Sequence, residues 1–377
     1  MAMTTRTASA GVLTLPGRYY YDPHIFASEQ ERLFSDMWVC VGRADRIPDP
    51  GAYFLAPVAD ENVLVLRDRG DALRAFLNVC RHRGARLCGA ESGQLRSTVQ
   101  CRYHAWTYGL DGRLVGAPNM GNDPAFDPAA YGLVPVALQV WEGLVWLNLS
   151  AKPASLADQM GMPFDRYARY HVGDLAVGAT IVYDLRSNWK LIVENFSECY
   201  HCAVAHPELS ADVPSFKAGI VTGYLGGGAD FADGVESLTA TGKTARPPFR
   251  DLRTEDLRRY YGMVLRPNVF LNLHPDYVVI HTLWPQGPDR TRVTCDWLFD
   301  PAMVAAPGFD PSDAVAFWDL VNRQDWELCE MSQQGVASRA YRDGGRYTPV
   351  ERHIRAFNDF VLEKLGGDGA EGSALSS

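Results

Sequence analysis

Two cysteine and histidine pairs have the residue types and the spacing of metal ligands. Cys80 and His82 stand in CRHRGARLC, and Cys101 and His104 stand in QCRYHAWTY, with eighteen residues between His82 and Cys101. Two thiolates and two imidazoles could ligate one metal ion or a cluster of two irons. A structural zinc site usually has two to four residues between the ligands of a pair, whereas a single residue separates Cys80 from His82.

The tighter spacing favours a Rieske [2Fe–2S] centre, in which two cysteines hold one iron and two histidines hold the other. Imidazoles in place of thiolates reduce the negative charge of such a cluster and raise its potential, so it would serve as an electron relay. Gly84, Gly109 and Gly112 lie near the ligands, where sharp turns can bring backbone N–H groups toward the cluster sulfurs. The alternative is a zinc ribbon that only stabilises the fold. An assay of iron and labile sulfide separates the two.

A second possible centre lies in the segment NWKLIVENFSECYHCAVAHPEL, residues 188–209. His201 and His206 could bind a mononuclear metal, although two structural histidines are the alternative. On a helix Asn195, Glu198 and His201 would form one polar stripe, while His206 would be rotated by about 140° from His201. Both can reach one metal only if the helix distorts or ends, and Pro207 predicts that it ends.

A third ligand is expected because two histidines and one carboxylate on Fe(II) leave open positions for dioxygen. The candidate is Asp325, which falls on the apolar face of a predicted helix. That face is defined by Trp318, Val321, Leu328 and Val336. A carboxylate there is expensive without a cationic partner. The alternative partner is an arginine, Arg323 or Arg339.

Short strand-like segments dominate residues 37–150, and longer helical segments and strands follow residue 150. The sequence therefore predicts three parts: an N-terminal segment, 1–36, that packs on the catalytic domain, a Rieske domain, 37–150, and a catalytic domain, 151–377. Residues 219–248 are rich in Gly, Ala and Thr, which predicts a long surface loop and a candidate lid.

Composition narrows the class of protein. The net charge is −9 without a basic tract, which argues against nucleic acid and anionic membranes as partners. No apolar run approaches the length that spans a bilayer, and the first residues lack the apolar middle of a secretory signal. A cytoplasmic enzyme is therefore expected. Eight cysteines do not make a disulfide framework in this chain. Four are predicted to be buried apolar side chains: Cys40, Cys88, Cys295 and Cys329.

As a set, these motifs resemble the large subunits of the Rieske non-haem iron oxygenases over nearly the whole chain. Tyr103 stands where the respiratory type of Rieske protein has a second bridging cysteine, so the resemblance is to the oxygenase type. It implies an α+β fold, with a small all-β Rieske domain and a larger helix-grip catalytic domain whose antiparallel sheet is covered by helices. It also implies a [2Fe–2S] cluster on Cys80, His82, Cys101 and His104, and a mononuclear iron on His201, His206 and Asp325.

The same resemblance implies a homotrimer in which the cluster of one subunit feeds the iron of its neighbour. By position, Glu198 would link His104 of one chain with His201 of the next. Asn195, one helical turn before Glu198, could support the site or be an ordinary helix residue. Most aromatic-ring hydroxylases have an aspartate at that bridge, so glutamate here is a departure. Several stretches, including NWKLIVENFSECYHCAVAHPEL and HPDYVVIHTLWPQGPDRTRVTCDWLFDP, are similar to the subgroup acting on quaternary ammonium compounds.

The expected function is a monooxygenase that hydroxylates an N-methyl group and so demethylates a quaternary amine such as glycine betaine. The first alternative is hydroxylation of an aromatic ring by the same machinery. The second is an electron carrier or metal-stabilised binding module, which would need only the first ligand set. Aromatic faces would hold a trimethylammonium group, and the candidates, each more simply a core residue, are Phe270, Tyr277, His281, Trp284 and Trp297.

A separate NAD(P)H-dependent reductase is expected as a partner. The chain has no convincing dinucleotide fingerprint, since the glycines at 226–228 do not clearly join a strand to a helix. It also lacks the cysteine spacing of a plant-type ferredoxin. Arg81, Arg83 and Arg102 could offer that reductase a basic docking surface. Cys199 and Cys202 form a CxxC pair, a spacing that elsewhere indicates thiol redox chemistry; here the pair is expected to pack around the iron site.

Overall fold

The computed structural model describes residues 13–162, 165–221 and 227–366. Its strands, in chain order, are β1 Val39–Arg43, β2 Ala52–Val58, β3 Glu61–Arg67, β4 Leu73–Leu77, β5 Ser92–Gln94, β6 Thr98–Gln100, β7 Thr107–Gly109, β8 Leu114–Gly116, β9 Ala137–Trp141, β10 Leu144–Asn148, β11 Ala176–Leu185, β12 Ala229–Asp230, β13 Arg259–Leu265, β14 Val269–Leu273, β15 Val278–Gly287 and β16 Arg290–Phe299. The α-helices are α1 Pro23–Glu29, α2 Leu156–Met160, α3 Trp189–Phe196, α4 Cys202–Ala205, α5 Pro207–Asp212, α6 Pro214–Lys217, α7 Pro301–Val304, α8 Ser312–Val336 and α9 Arg352–Lys364.

The chain divides into two compact units. One is Gln30–Asp174, and the other combines Met1–Glu29 with Leu175–Ser377. In the first unit all strands pair antiparallel, in a four-stranded sheet β4-β3-β2-β5 and two three-stranded sheets, β1-β10-β9 and β6-β7-β8. Residues Val63–Leu66 of β3 are fully buried, so the four-stranded sheet is covered on both faces at this point. The predicted small all-β domain is confirmed.

The second unit is built on one six-stranded antiparallel sheet in the order β11-β16-β15-β14-β13-β12. Every residue of β14 is buried, as are the first six residues of β15, so the middle of this sheet is covered on both faces. On one face Trp318 of α8 lies 5.8 Å from Tyr260 of β13, ring centroid to ring centroid. Trp189 of α3 packs edge-on against Phe357 of α9 at 5.6 Å. The predicted α+β fold, with helices over an antiparallel sheet, is confirmed.

Helix α8 is the longest element and carries one buried face. Its buried apolar residues recur at helical spacing: Ala314, Phe317, Trp318, Val321, Trp326, Cys329 and Val336. Burial of this face is what makes a 25-residue helix stable here, because helices in proteins gain most of their stability from packing. Within the described residues, no helix is both long enough and apolar enough to cross a bilayer.

The N-terminal residues of the second unit are held by buried polar contacts. Glu29, at the end of α1, accepts from Lys190 Nζ at 2.6 Å and from Trp189 Nε1 at 2.8 Å. Neither side chain of the Glu29–Lys190 pair is exposed to solvent. Tyr20 donates to Glu194 at 2.8 Å. Removing one member of the Glu29–Lys190 pair would leave a buried charge uncompensated, at a cost of about 3–5 kcal/mol.

The stretch predicted as a surface loop, 219–248, differs from that prediction at its centre. Residues 222–226 lie outside the described residues. Beyond them, Ser237, Leu238 and Thr239 are fully buried. Ser237 donates to Asp276 Oδ1 at 2.5 Å, and Arg246 Nε donates to Asp276 Oδ2 at 2.9 Å. This burial was not predicted because small polar residues are usual in surface loops, whereas Ser237 and Thr244 here donate to the buried carboxylate of Asp276.

Candidate metal centres and active site

The first predicted ligand pair lies in a tight loop between β4 and β5. Cys80 N–H donates to the Ala85 carbonyl at 2.8 Å, and Gly84 N–H donates back to the Cys80 carbonyl at 3.0 Å. Gly84 has a φ of +72°, the left-handed region that glycine adopts without steric cost. Cys80 is 2% exposed, whereas His82 is exposed. The loop therefore turns its thiol inward and its imidazole outward.

The second pair lies in a loop between β6 and β7 that has the same pattern of backbone hydrogen bonds. Cys101 N–H donates to the Trp106 carbonyl at 2.8 Å, and Ala105 N–H donates back to the Cys101 carbonyl at 3.0 Å. Ala105 takes the left-handed position, at φ +58°. Counted from its cysteine, His104 is the fourth residue, whereas His82 of the first loop is the third.

The two loops bring their four predicted ligands together. The rings of His82 and His104 lie 4.7 Å apart, centroid to centroid, and are nearly perpendicular. Cys101, like Cys80, is 2% exposed. His104 Nδ1 is buried without a hydrogen-bond partner among the described residues, which is unusual for a buried polar atom. Two buried thiols and an orphaned imidazole nitrogen fit the ligand set of a Rieske cluster.

Tyr108 is a residue of this centre that the sequence analysis missed. Its hydroxyl lies 3.3 Å from Cys80 Sγ and accepts the Arg81 N–H at 3.0 Å. Because the Arg81 N–H occupies one lone pair, the hydroxyl proton can be directed at the sulfur. Burial, with the hydrogen bond to Cys80, raises the pKa of Tyr108, so the phenol stays a donor. Spacing along the chain gave no signal for this contact.

Tyr108→Phe is expected to lower the reduction potential of the cluster by about 20–60 mV, the equivalent of one hydrogen bond in a one-electron couple. A hydrogen bond to a cluster sulfur stabilises the reduced, more negative state. The measurement is a redox titration followed by the EPR signal of the reduced cluster. Tyr131→Phe, whose ring packs 5.7 Å from Trp106, is the control. An equal potential in wild type and Tyr108→Phe would remove this role.

The second ligand segment is not one helix, so the predicted helical stripe through His201 is wrong. Helix α3 ends at Phe196, and a turn leads to α4, which begins at Cys202. The side chain of Glu198 accepts the backbone N–H groups of Tyr200 and His201, and these contacts replace intrahelical acceptors.

The helix also breaks at His206, as Pro207 predicted. Helix α4 ends at Ala205, His206 adopts φ −126° and ψ 70°, and α5 begins at Pro207. The break turns the two imidazoles toward each other, with ring centroids 5.2 Å apart. A continuous helix would have separated them.

Helix α8 supplies the predicted third ligand. Asp325 Oδ1 lies 2.8 Å from His206 Nε2 and 3.2 Å from His201 Nε2. Arg323, one of the two alternative partners, pairs instead with Asp319 at 2.9 Å. The structure thus brings two imidazole nitrogens and one carboxylate oxygen to a single point.

Two further side chains orient these imidazoles. His201 Nδ1 lies 2.5 Å from Glu198 Oε1, and His206 Nδ1 lies 2.7 Å from Gln324 Oε1. With both Nδ1 atoms held by oxygen acceptors, both Nε2 atoms remain for a metal. Acceptors of this kind fix the tautomer of ligating histidines in known metal sites. Gln324 was not predicted, since only its place beside Asp325 could have suggested it.

The electrostatics of the three residues suit a cation. Burial lowers the pKa of His201, but the hydrogen bonds and charges of Asp325 and Glu198 outweigh burial and raise it to about 10. Burial raises the pKa of Asp325, but its hydrogen bonds from His201 and His206 outweigh burial and lower it to about 2. A divalent metal would satisfy the same carboxylates. Two nitrogens and one oxygen form the facial ligand set of non-haem Fe(II) sites.

Binding of Fe²⁺ or Co²⁺ to the metal-free site at pH 7 is therefore expected to release about one proton, because His201 must lose its proton to bind metal. Calorimetry in buffers of different ionisation enthalpy measures this number. In the metal-free protein, His201 adds stability below pH 6.5 that is lost as pH rises through about 10. Asp325 adds stability above pH 3.8 that is lost as pH falls through about 2. Identical binding heats in every buffer would contradict the expected proton release.

A pocket of about 640 Å³, including its open mouth, adjoins the three ligands. Three aromatic rings form one corner of its wall, with Phe216, Tyr260 and Trp318 in successive contact at 5.8–5.9 Å. Their polar ends point into the protein: Tyr260 donates to Asn272 Oδ1 at 2.5 Å, and Trp318 Nε1 donates to Tyr277 at 2.9 Å. Asn195, Glu198, Cys199 and Cys202 also line this pocket.

The aromatic residues predicted from the sequence to hold a substrate lie elsewhere. None of the five belongs to the described lining of the pocket: Phe270, Tyr277, His281, Trp284 and Trp297. Tyr277, just before β15, and His281, within β15, are both buried, and burial lowers the pKa of His281 to about 4. The burial of Phe270, Tyr277, His281 and Trp297 agrees with core packing, the simpler alternative for each of them.

Two family models match the chain. Residues 37–138 match the Rieske [2Fe-2S] domain, and residues 172–367 match the catalytic domain of the ring hydroxylating alpha subunit. The second match covers the candidate metal ligands His201, His206 and Asp325, which form the metal triad, and it also covers the pocket beside them.

Individual proteins are similar over almost the full chain. A glycine betaine monooxygenase oxygenase subunit from Chromohalobacter salexigens is 31% identical, covering 93% of this chain and 86% of the relative. A carnitine monooxygenase oxygenase subunit from Escherichia coli is 31% identical, covering 88% of this chain and 87% of the relative. The crystal structure of a quaternary ammonium Rieske monooxygenase with L-carnitine has a TM-score of 0.74 at 26% identity, covering 94% of this chain and 96% of that one.

Proposed function

This chain belongs to the Rieske non-haem iron oxygenases, as an oxygenase subunit of the quaternary ammonium monooxygenase type, and we propose that it demethylates a quaternary amine by hydroxylating an N-methyl group. Hydroxylation of that carbon gives a hemiaminal, which breaks down to formaldehyde and the demethylated amine. Glycine betaine is the substrate that we place first, because a relative of that name is similar over 93% of the chain.

The enzyme uses a Rieske [2Fe–2S] cluster, a mononuclear iron and O2. Bound to the protein, the two iron groups supply one-electron transfer and activation of O2. We assign the cluster to Cys80, His82, Cys101 and His104, and the mononuclear iron to His201, His206 and Asp325. Glu198 and Gln324 then hold the two iron-binding imidazoles in the required tautomer.

The observation that carries the proposed substrate class is the aromatic corner of Phe216, Tyr260 and Trp318, in the same pocket as the metal triad. The Tyr260 hydroxyl and the Trp318 indole N–H are engaged elsewhere, so the rings contribute aromatic carbon to the pocket wall, and we infer that ring faces are open to the pocket. A trimethylammonium group is attracted to such faces by their quadrupoles, by about 0.5–2 kcal/mol per contact. A single aromatic ring at this place would be ordinary core packing. Three aromatic rings in successive contact beside the metal triad favour binding of a cationic group.

Recognition of the ammonium head rather than of a carboxylate is expected. The described lining of the pocket contains no lysine or arginine, and the sequence of residues 222–226, TGYLG, contains none. A substrate carboxylate would therefore depend on neutral donors such as the Asn195 amide. Choline, which has the same head without the carboxylate, is accordingly an essential comparison.

The partners are part of the proposal. A separate NAD(P)H-dependent reductase would supply electrons, and Arg81, Arg83 and Arg102, all exposed on the two cluster loops, are candidates for its docking surface. A homotrimer would let the cluster of one subunit serve the iron of the next.

The test mixes the iron-replete enzyme with a promiscuous reductase and NADH and measures formaldehyde against glycine betaine, carnitine, proline betaine and choline. The proposal expects formaldehyde in proportion to NADH oxidised with at least one of them. The neutral tert-butyl analogue of choline is the matched control and is expected to bind weakly. No formaldehyde, with O2 consumed when aromatic acids are supplied, would instead support ring hydroxylation.

Trp318→Leu extends the test to the pocket wall. Loss of one cation–π contact is expected to raise KM for the preferred amine by about 5- to 30-fold, with a smaller effect on kcat. Trp326→Leu on the same helix, outside the described pocket lining, is the control. An unchanged KM in Trp318→Leu would separate the aromatic corner from substrate binding.

A further inference from the structure

The pair Cys199 and Cys202 frames His201, and the proposed demethylation makes no use of it. The two sulfurs are joined in a disulfide, with Cα atoms 4.9 Å apart. The residues are 5% and 2% exposed, and both line the pocket beside the metal triad. The expectation of packing around the iron site did not include a bond between them.

Cys202 lies within reach of the same metal position as the histidines. Its Sγ is 3.9 Å from His201 Nε2. The ligand atoms of His201, Cys202 and His206 all lie within 4.8 Å of one another. In a tetrahedral zinc site, bonds of about 2.3 Å to sulfur and 2.0–2.1 Å to nitrogen place these atoms roughly 3.5 Å apart. A small rotation of the freed thiol would complete that geometry.

We propose that the redox state of Cys199 and Cys202 controls which metal ion binds at this site. As a disulfide, they leave His201, His206 and Asp325 as the ligands, a set of two nitrogens and one oxygen that suits Fe²⁺. As a dithiol, they offer Cys202 as a further ligand, and the site then prefers a soft divalent ion such as Zn²⁺. Thiolate and imidazole together select zinc, whereas a disulfide sulfur is a poor ligand.

The chemistry of the switch balances with a peroxide as the oxidant. Two thiols and one hydrogen peroxide give one disulfide and two waters. The S–S bond forms, the O–O bond breaks, the two thiol protons pass to the oxygen atoms, and two electrons move from sulfur to peroxide. In the reverse direction a small dithiol reduces the pair by thiol–disulfide exchange through a mixed disulfide. Both residues line the open pocket, which is the route by which small reagents would reach them.

The disulfide also constrains the turn that contains His201. It closes a ring around Tyr200 and His201, directly after Glu198. The same turn sets the 2.5 Å contact between Glu198 and His201 Nδ1. The oxidised pair therefore stabilises the His201 orientation that the iron site requires. This inference rests on the assignment of His201 and His206 as metal ligands, but not on the identity of the amine.

The first experiment compares two states of the wild-type enzyme that retains its cluster but has lost its mononuclear metal to a chelator. One sample stays oxidised, and the other is reduced with dithiothreitol and desalted without oxygen. Alkylation and peptide mass spectrometry report the state of the pair. Zinc affinity is measured by competition with a chromophoric chelator, and the zinc X-ray absorption edge reports zinc ligands without interference from cluster iron.

The reduced sample is expected to bind Zn²⁺ about 70- to 900-fold more tightly, the share of one of four ligands in a structural zinc site. It should show a Zn–S distance of about 2.3 Å, and the oxidised sample should show only nitrogen and oxygen ligands. Hydrogen peroxide should return the reduced sample to the oxidised result.

Two variants are expected to have opposite effects. Cys202→Ser removes the sulfur ligand, so zinc binding becomes independent of reduction and free of Zn–S scattering. Cys199→Ser leaves Cys202 permanently unpaired, so the Zn–S signal is present without reduction. Cys40→Ala, in the other compact unit, is the control and should behave like wild type.

Three results would each overturn the proposal: a pair that stays disulfide-bonded in the folded enzyme after dithiothreitol, a reduced enzyme without Zn–S bonding, or equal zinc affinity in both states. None of these measurements uses the amine substrate. A failure of the demethylation assay would therefore not affect this inference. A failure of the zinc experiments would likewise not affect the proposed demethylation.

Discussion

Glu198→Gln is expected to reduce turnover about 100-fold while both iron groups remain bound. Glutamine keeps the size of the side chain but replaces one acceptor oxygen with an NH2 donor. The carboxylate accepts from His201 Nδ1 at 2.5 Å and from backbone N–H groups of its own turn. Loss of such an oriented acceptor usually costs 10- to 100-fold in metal affinity or activity, and the proposed second contact, with His104 of a neighbouring subunit, would be lost as well.

Several readouts separate this positioning role from a general loss of structure. The EPR signal of the reduced cluster should be unchanged, but its reoxidation by O2 with substrate in a single turnover should be slow. Glu198→Asp should recover part of the rate, because it restores the carboxylate. Glu194→Gln is the matched control, since burial raises the pKa of Glu194 to about 7 and its partner is Tyr20 rather than a metal ligand. Wild-type turnover in Glu198→Gln would exclude Glu198 from electron delivery.

Asp325→Asn is expected to abolish activity by emptying the mononuclear site. The change removes the anionic oxygen that lies within 3.2 Å of both imidazoles. Two neutral histidines and an amide bind Fe²⁺ far more weakly, because oxygen anions contribute most to binding hard cations. Iron per chain should fall to the two atoms that the cluster holds, while labile sulfide and the cluster spectrum stay at wild-type values.

The control for this change is Asp319→Asn on the same helix. Asp319 accepts from Tyr183 at 2.7 Å and pairs with Arg323, away from the triad. It should keep the third iron and most activity. If Asp325→Asn retained the third iron, Asp325 could not be the metal ligand that we assign.

The candidate ligands could be named from the sequence because their signals are local or periodic. The pairs at Cys80 and Cys101 depend on spacing within single loops, and Pro207 marks the break that turns His206 toward His201. Asp325 was found because a carboxylate on an apolar helical face needs a cation. In each case the pattern that identifies the candidate ligand lies within a few neighbouring residues. The fold is needed only to bring the segments together.

The residues that the sequence missed depend on contacts between distant elements. Tyr108 reaches Cys80 across two loops, and Gln324 is distinguished from other polar residues of α8 only by its contact with His206. The aromatic corner joins α6, β13 and α8. The aromatic candidates named from the sequence lie outside the described lining of this pocket, since a strand pattern does not show which sheet faces are covered. The helix through His201 failed because the Glu198 side chain captures backbone donors, a tertiary arrangement without a pattern in the sequence.

The separation of the ligands along the chain has a consequence for folding. His206 and Asp325 stand 119 residues apart, so an ion bound between them cross-links a long stretch of polypeptide. The unfolded chain does not hold the two residues together and binds iron weakly, so iron that binds the folded chain stabilises it by mass action. Bound iron would thus link the segment that carries His206 to helix α8. A cell that is short of iron would then hold a protein that opens more readily there and is cleaved sooner by proteases.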